Sequence, residues 1–202
     1  MTKVTLLEQL KLFTVEATKD LILPVSYQKT DKEPPPPRPA TVYRMRLPDS
    51  KAAEKKAPYI LHQIITGQDV QIPGQLDMAS ATVRSIFCVY HSDEQEGGLA
   101  LLGLMERLRI ALLEAGSIGK QFLLNREAGL ESLVYPDPSA PYYAGEMIST
   151  WRLPPIERKV QYGKKGYSNI RESGPGPGCD RIGPGAAHGQ YGIGLGTGGS
   201  EK

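Results

Sequence analysis

Three histidines and two cysteines are the chain's whole supply of the side chains that most often do nucleophilic, proton-transfer or metal chemistry. His91 stands beside Asp93, Glu94 and Glu96, a grouping that could hold a cation or pass protons. The same acids sit where a helix begins. Acids there bond free N–H groups and match the positive end of the helix dipole, so the spacing predicts capping. His62 and His188 have no ligand partners near them in sequence. Gly194-Leu-Gly-Thr-Gly-Gly199 has the letters of a dinucleotide loop. Such a loop needs a strand before it and a helix after it to receive the pyrophosphate, and only Ser200, Glu201 and Lys202 follow. No Gly-Lys-Ser/Thr phosphate loop and no strained serine elbow occurs. Cys88 lies within an apolar run, which predicts a buried, inert thiol. The residues point to no catalytic group, no metal and no cofactor.

Composition narrows the class further. The chain has 202 residues, a one-domain length with room for an appendage. Lys plus Arg number 24 and Asp plus Glu 22, a net charge of +2 that is too balanced for non-specific nucleic-acid binding as a main task. Two distant cysteines make neither a disulfide framework nor a zinc pattern, and fit a reducing compartment. Met1–Phe13 carries Lys3, Glu8 and Lys11, unlike a secretory signal. The apolar stretch Leu99–Met105 is far too short for a membrane span. The expectation is a soluble protein made in the cytoplasm.

The elements read as follows. Leu6, Leu10, Phe13 and Ala17 recur at helical spacing, widened by Leu7 and Leu21. Thr5 with Glu8 predicts a capping box and Pro24 a stop. Residues 28–40, with Pro34–Pro37 and Pro39, predict a stiff extended linker. Strands are predicted over 41–47, 59–66 and 82–90, with Gly67–Asp69 closing the second. In the third, Val83, Phe87 and Val89 alternate with Ile86, Cys88 and Tyr90. Apolar groups on both faces predict a central strand, covered on both sides or on one side by a partner. A helix over roughly 95–115 carries the stripe Leu101, Leu104, Met105, Leu108 and Leu112, with Asp93 or Ser92 as cap and Gly116 as stop. Short strands near 120–124 and 130–135 precede a last long strand, Tyr142–Leu153, closed by Pro154-Pro155. The fold class is α/β of the α+β kind: a mainly antiparallel sheet, an N-terminal helix and one long helix packed on it. From 157 the chain turns rich in Gly and Pro without apolar periodicity, so it cannot build a core alone. Residues 1–156 form the domain and 157–202 an extended arm with a slight basic excess.

Surface residues remain. Arg44, Arg46 and Arg84 near Tyr43, Tyr59 and Tyr90 could form a nucleic-acid sheet, but no RNP-like Gly-aromatic pattern accompanies them. A solvated or interface-facing strand surface fits better. On the last strand Tyr143, Met147 and Trp151 share the face predicted inside. Tyr142, Glu146, Thr150 and Arg152 share the other, and Tyr and Arg are enriched at interface centres. Arg44, Arg46, Tyr142, Glu146 and Arg152 are therefore candidate interface residues. Arg158, Lys159, Tyr162, Lys164 and Lys165 are the arm's candidates.

The segments Thr82–His91, Leu99–Leu113 and Tyr142–Pro155, with the order helix, Pro-rich link, three strands, helix, short strands and final strand, resemble the tail terminator (tail completion) proteins of tailed phages and phage-tail-like particles. The resemblance covers about residues 1–156; the arm departs from it. It implies an α/β fold and a homo-oligomer, a hexameric ring, on the head-proximal end of the tail tube. There the ring stops tube polymerisation and offers a joining surface to the neck and head. The implied partners are the tail tube protein and the sheath and neck or head-connector proteins, with DNA at most passing through the ring. No membrane, small-molecule substrate or cofactor is implied, and the place is the virion or a phage-tail-like particle. A head-closure or neck protein of the same particle is the nearest alternative. A nucleic-acid-binding protein using the basic Gly-rich arm is the alternative of another class.

Overall fold

The computed structural model describes residues 2–27, 35–48, 56–71, 77–136 and 140–156. The chain divides into two units, Met1–Lys159 and Val160–Lys202. The second lies outside the described residues, as do residues 28–34 of the expected linker and the whole arm from 157.

Helix α1 spans Lys3–Thr18 and buries Leu6, Leu7, Leu10, Thr14 and Thr18. Its cap is Thr2, whose hydroxyl accepts from the Thr5 N–H at 3.3 Å, so Thr5 lies inside the first turn and the expected Thr5–Glu8 box does not form. Nor does Pro24 set the end. The helix stops at Thr18, whose hydroxyl turns back to donate to the Thr14 carbonyl at 2.8 Å. The chain then extends, and Leu23 and Arg38 exchange two backbone hydrogen bonds of 3.0 Å.

The strands are β1 (Thr41–Arg44), β2 (Tyr59–Val70), β3 (Met78–Tyr90), β4 (Ser117–Ile118), β5 (Phe122–Leu124), β6 (Leu130–Val134) and β7 (Tyr142–Leu153). They form one sheet in the order β1-β2-β3-β7-β5-β4, with β6 also pairing β7. Only β1–β2 is parallel. Several expected strand limits shift, and β3 begins at Met78, four residues before the expected start at Thr82. β1 ends at Arg44 because Met45 takes a left-handed φ of 57°, which breaks the alternation expected to run to Leu47. β2 runs through Gly67–Asp69 to Val70, because these residues pair with Ala81, Ser80 and Ala79 after an irregularity at Ile64–Thr66. A partner strand overrides a local turn signal there.

Helix α2 spans Glu94–Ala115 between Asp93, which accepts from the Gln95 and Glu96 N–H groups, and Gly116 at φ 62°. Those bonds hold the Asp93 carboxyl below its ordinary range. Its buried stripe, Leu101, Leu104, Met105, Leu108 and Leu112, packs with α1 on one face of the sheet. Val83, Phe87 and Val89 of β3 and Tyr143, Met147 and Trp151 of β7 form the floor of this core. The fold is therefore α+β, with both helices on one side.

Gly97 fixes how closely α2 approaches. A methyl group there would stand 2.1 Å from the ring of Tyr143, which is itself buried. Gly97→Ala is expected to lower stability by about 1–3 kcal/mol through overpacking. Gly98 and Gly103 have open space above them, and alanine there is expected to stabilise by up to ~1 kcal/mol through helix propensity. Urea titration of the three variants measures the contrast.

Candidate interaction surface

Alternation along β3 and β7 decides what the far face of the sheet carries. Residues one apart point to opposite faces, so Thr82, Arg84, Ile86, Cys88 and Tyr90 of β3 lie on the side away from the helices. Opposite them in register are Thr150, Ile148, Glu146, Ala144 and Tyr142 of β7. One end of this face is covered. Leu47, Ala57, Tyr59, Leu61, Cys88 and Tyr90 form a second, smaller apolar cluster there. Tyr90 packs against Tyr27 and Tyr142 at ring distances of 6.0 and 5.6 Å, and the Ser26 and Tyr142 hydroxyls hydrogen-bond at 2.6 Å. Burial raises the Tyr90 hydroxyl above its ordinary pKa.

Among the described residues, no helix covers the rest of the face. Its centre is a charged group held by β3, β7 and the residue that follows β6. Arg84 Nε donates to Glu146 Oε2 at 2.5 Å, Arg84 Nη2 donates to the Tyr135 hydroxyl at 3.1 Å, and that hydroxyl donates to Glu146 Oε2 at 2.8 Å. Arg84 is held charged by these bonds. The Tyr135 hydroxyl is raised first by burial and then by its bond to the carboxylate. Around the group stand half-buried Ile86 and Ile148 and the exposed Leu133. Toward the β2–β3 hairpin, Arg152 pairs with Glu127 at 2.8 Å. A shallow hollow opens there between Gln68, Val70, Met78 and Ser80 on one side and Asn125 and Arg152 on the other. Apolar groups around a preorganised ion group suit contact with a macromolecule better than enclosure of a small ligand.

Tyr142, Glu146 and Arg152 thus share one face. Arg44 does not join them. It sits opposite His62 on the helix side and pairs with Glu8 of α1 at 3.0 Å. Arg46 is exposed beyond the end of β1. Arg158, Lys159, Tyr162, Lys164 and Lys165 lie outside the described residues. Tyr135 was not singled out from sequence, although period-two counting on its strand would have put it on the face of Glu146.

Asp93, His62 and Cys88 have structural roles. Asp93 caps α2, so the acids beside His91 act as a helix start. His62 is fully buried, its Nε2 3.0 Å from the Thr14 hydroxyl and its Nδ1 2.8 Å from that of Ser85. Serine beside histidine is the arrangement of a nucleophile and its base. Here burial lowers the histidine to about 3, too weak a base to take a serine proton, and Ser85 and Thr14 are themselves buried. Cys88 is buried in the smaller cluster. Among the described residues, no group of three His, Cys, Asp or Glu side chains is placed to hold a metal ion, and no helix is long and apolar enough to cross a membrane. No family model and no curated protein matches this chain.

Proposed function

We propose that this chain is the subunit of a ring that caps the head-proximal end of a phage-type tail tube, stops its growth and presents a joining surface to the neck. The observation that carries the reading is the one-sided sheet. Among the described residues, the seven-stranded sheet carries its helices on one face, and the other face presents a fixed Arg84–Glu146–Tyr135 group among apolar side chains. A surface of that composition suits a contact made repeatedly with the same geometry. Head-to-tail contacts of this kind close into rings when the rotation allows. The chain runs α1, three strands, α2, three short strands and β7 last, and the reading draws on the resemblance stated from the sequence for the role of such a subunit. The basic Gly-rich arm supplies a long adaptable contact for a neighbour or the tube.

The reading assigns the ion group to assembly. Glu146→Gln and Arg84→Met are expected to cost about 1–3 kcal/mol of unfolding free energy and leave the protein folded, since the Arg84 side chain is a third exposed while the Glu146 carboxylate, only 15% exposed, is part of a hydrogen-bonded group. The same variants are expected to weaken self-association at least tenfold. Sedimentation velocity on purified protein checks this directly. Rings formed at wild-type concentrations by both variants would remove this face from the contact.

A further inference from the structure

We propose that the basic first part of the arm, residues 158–165, of a neighbouring copy adds as a strand to the free edge of β6. The inference deepens the ring reading and rests on it for the presence of a neighbour.

β6 pairs β7 and no other strand among the described residues. The Tyr135 N–H donates to the Ala144 carbonyl. Antiparallel pairing alternates from there, so Ser132 and Val134 turn their backbone N–H and C=O groups away from β7. Such an edge is a template for another strand, and proteins normally blunt it. This one instead carries Leu133 at 50% and Val134 at 45% exposure, one on each face of the sheet. Charge selects the occupant. The segment Glu127–Asp137 holds three carboxylates and no Lys or Arg. Glu127 is engaged by Arg152, while Glu131 is exposed with no ion-pair partner among the described residues. Residues 158–165 read Arg-Lys-Val-Gln-Tyr-Gly-Lys-Lys, four cations and no carboxylate, with Val160 and Tyr162 as good strand formers. Backbone pairing would supply affinity, and lysines beside Glu131 would supply register.

The topology favours a neighbour's arm. The arm leaves β7 after Leu153, and β5 with β4 outside it occupies the flank of β7 at Trp151–Arg152, between that exit and the edge of β6. Residues 158–165 follow Leu153 by five to twelve residues and so reach roughly 17–40 Å from the end of β7, which requires the neighbour's β6 edge to lie within that distance.

Amide hydrogen exchange on the full chain, with the mass distribution read in the same samples, tests the inference. In assembled protein the Ser132 and Val134 amides should exchange at least tenfold more slowly than in dilute monomer. Glu131→Lys, and separately Lys164→Glu with Lys165→Glu, should abolish that protection while α2 and β3 amides stay protected. Combining the reversals should restore it. Fast exchange at these two amides in assembled wild type overturns the inference and leaves the ring reading standing. Slow exchange in the dilute monomer, independent of concentration, assigns the edge to the molecule's own arm and overturns it as well. A chain that stays monomeric at every concentration, with or without tubes, removes both.

Discussion

Unfolding free energy is expected to fall by about 1.4 kcal/mol for each pH unit below pH 6.5, and to be flat above it. The cause is one side chain. His62 is fully buried between Thr14 and Ser85, and burial holds its pKa near 3 against 6.5 in an exposed histidine. The folded protein keeps it neutral, while the unfolded chain takes a proton as pH drops through 6.5. The stability it contributes is therefore complete above pH 6.5 and is lost progressively toward pH 3. The depressed carboxyls of Asp93 and Glu106 add their own loss only further down, from about pH 4. The interval between about pH 6.5 and 4.5 isolates the histidine. Urea midpoints across it should slope in the wild type and be nearly level in His62→Gln, whatever that variant's absolute stability. A level wild-type profile would mean that His62 is solvated.

Trp151→Ala is expected to cost about 3–5 kcal/mol, a large part of the total stability of a domain this size. Trp151 is fully buried at the end of β7, and its Nε1–H donates to the Ser149 hydroxyl at 3.0 Å. Truncation opens a cavity in the main core and leaves the Ser149 oxygen without that donor. Thermal unfolding measures the loss. Arg152, next in sequence, points to the opposite face, and Arg152→Ala should change stability by less than about 1 kcal/mol. Two neighbouring residues with effects this different is what the pleat requires.

The same alternation explains what the sequence made legible. The limits of β7 and the inward set Tyr143, Met147 and Trp151 follow from apolar period two with Pro154-Pro155 as a stop. The α2 stripe follows from period 3.6 between Asp93 and Gly116. Extending β2 past Gly67 did not follow, because pairing with Ala79–Ala81 is a property of the hairpin and not of the Gly-Gln-Asp stretch. Thr14 escaped notice for a related reason. A polar residue on a helix face reads as exposed unless its partner, His62, forty-eight positions away, is known. The candidate surface was half legible. Tyr142, Glu146 and Arg152 could be placed on one face from β7 alone. That Arg84 and Tyr135 meet Glu146, and that Arg44 turns away to Glu8, depends on strand order and register. No local pattern encodes those.

The proposed role is the closing of tube ends. Tail tubes polymerised from the purified tube protein, with and without this chain and imaged by negative stain, test it most directly. Growth should arrest at a fixed end, with one ring of this protein seated there and none along the wall. Tubes that lengthen equally in its presence, with the protein free in the background as monomer, would contradict it.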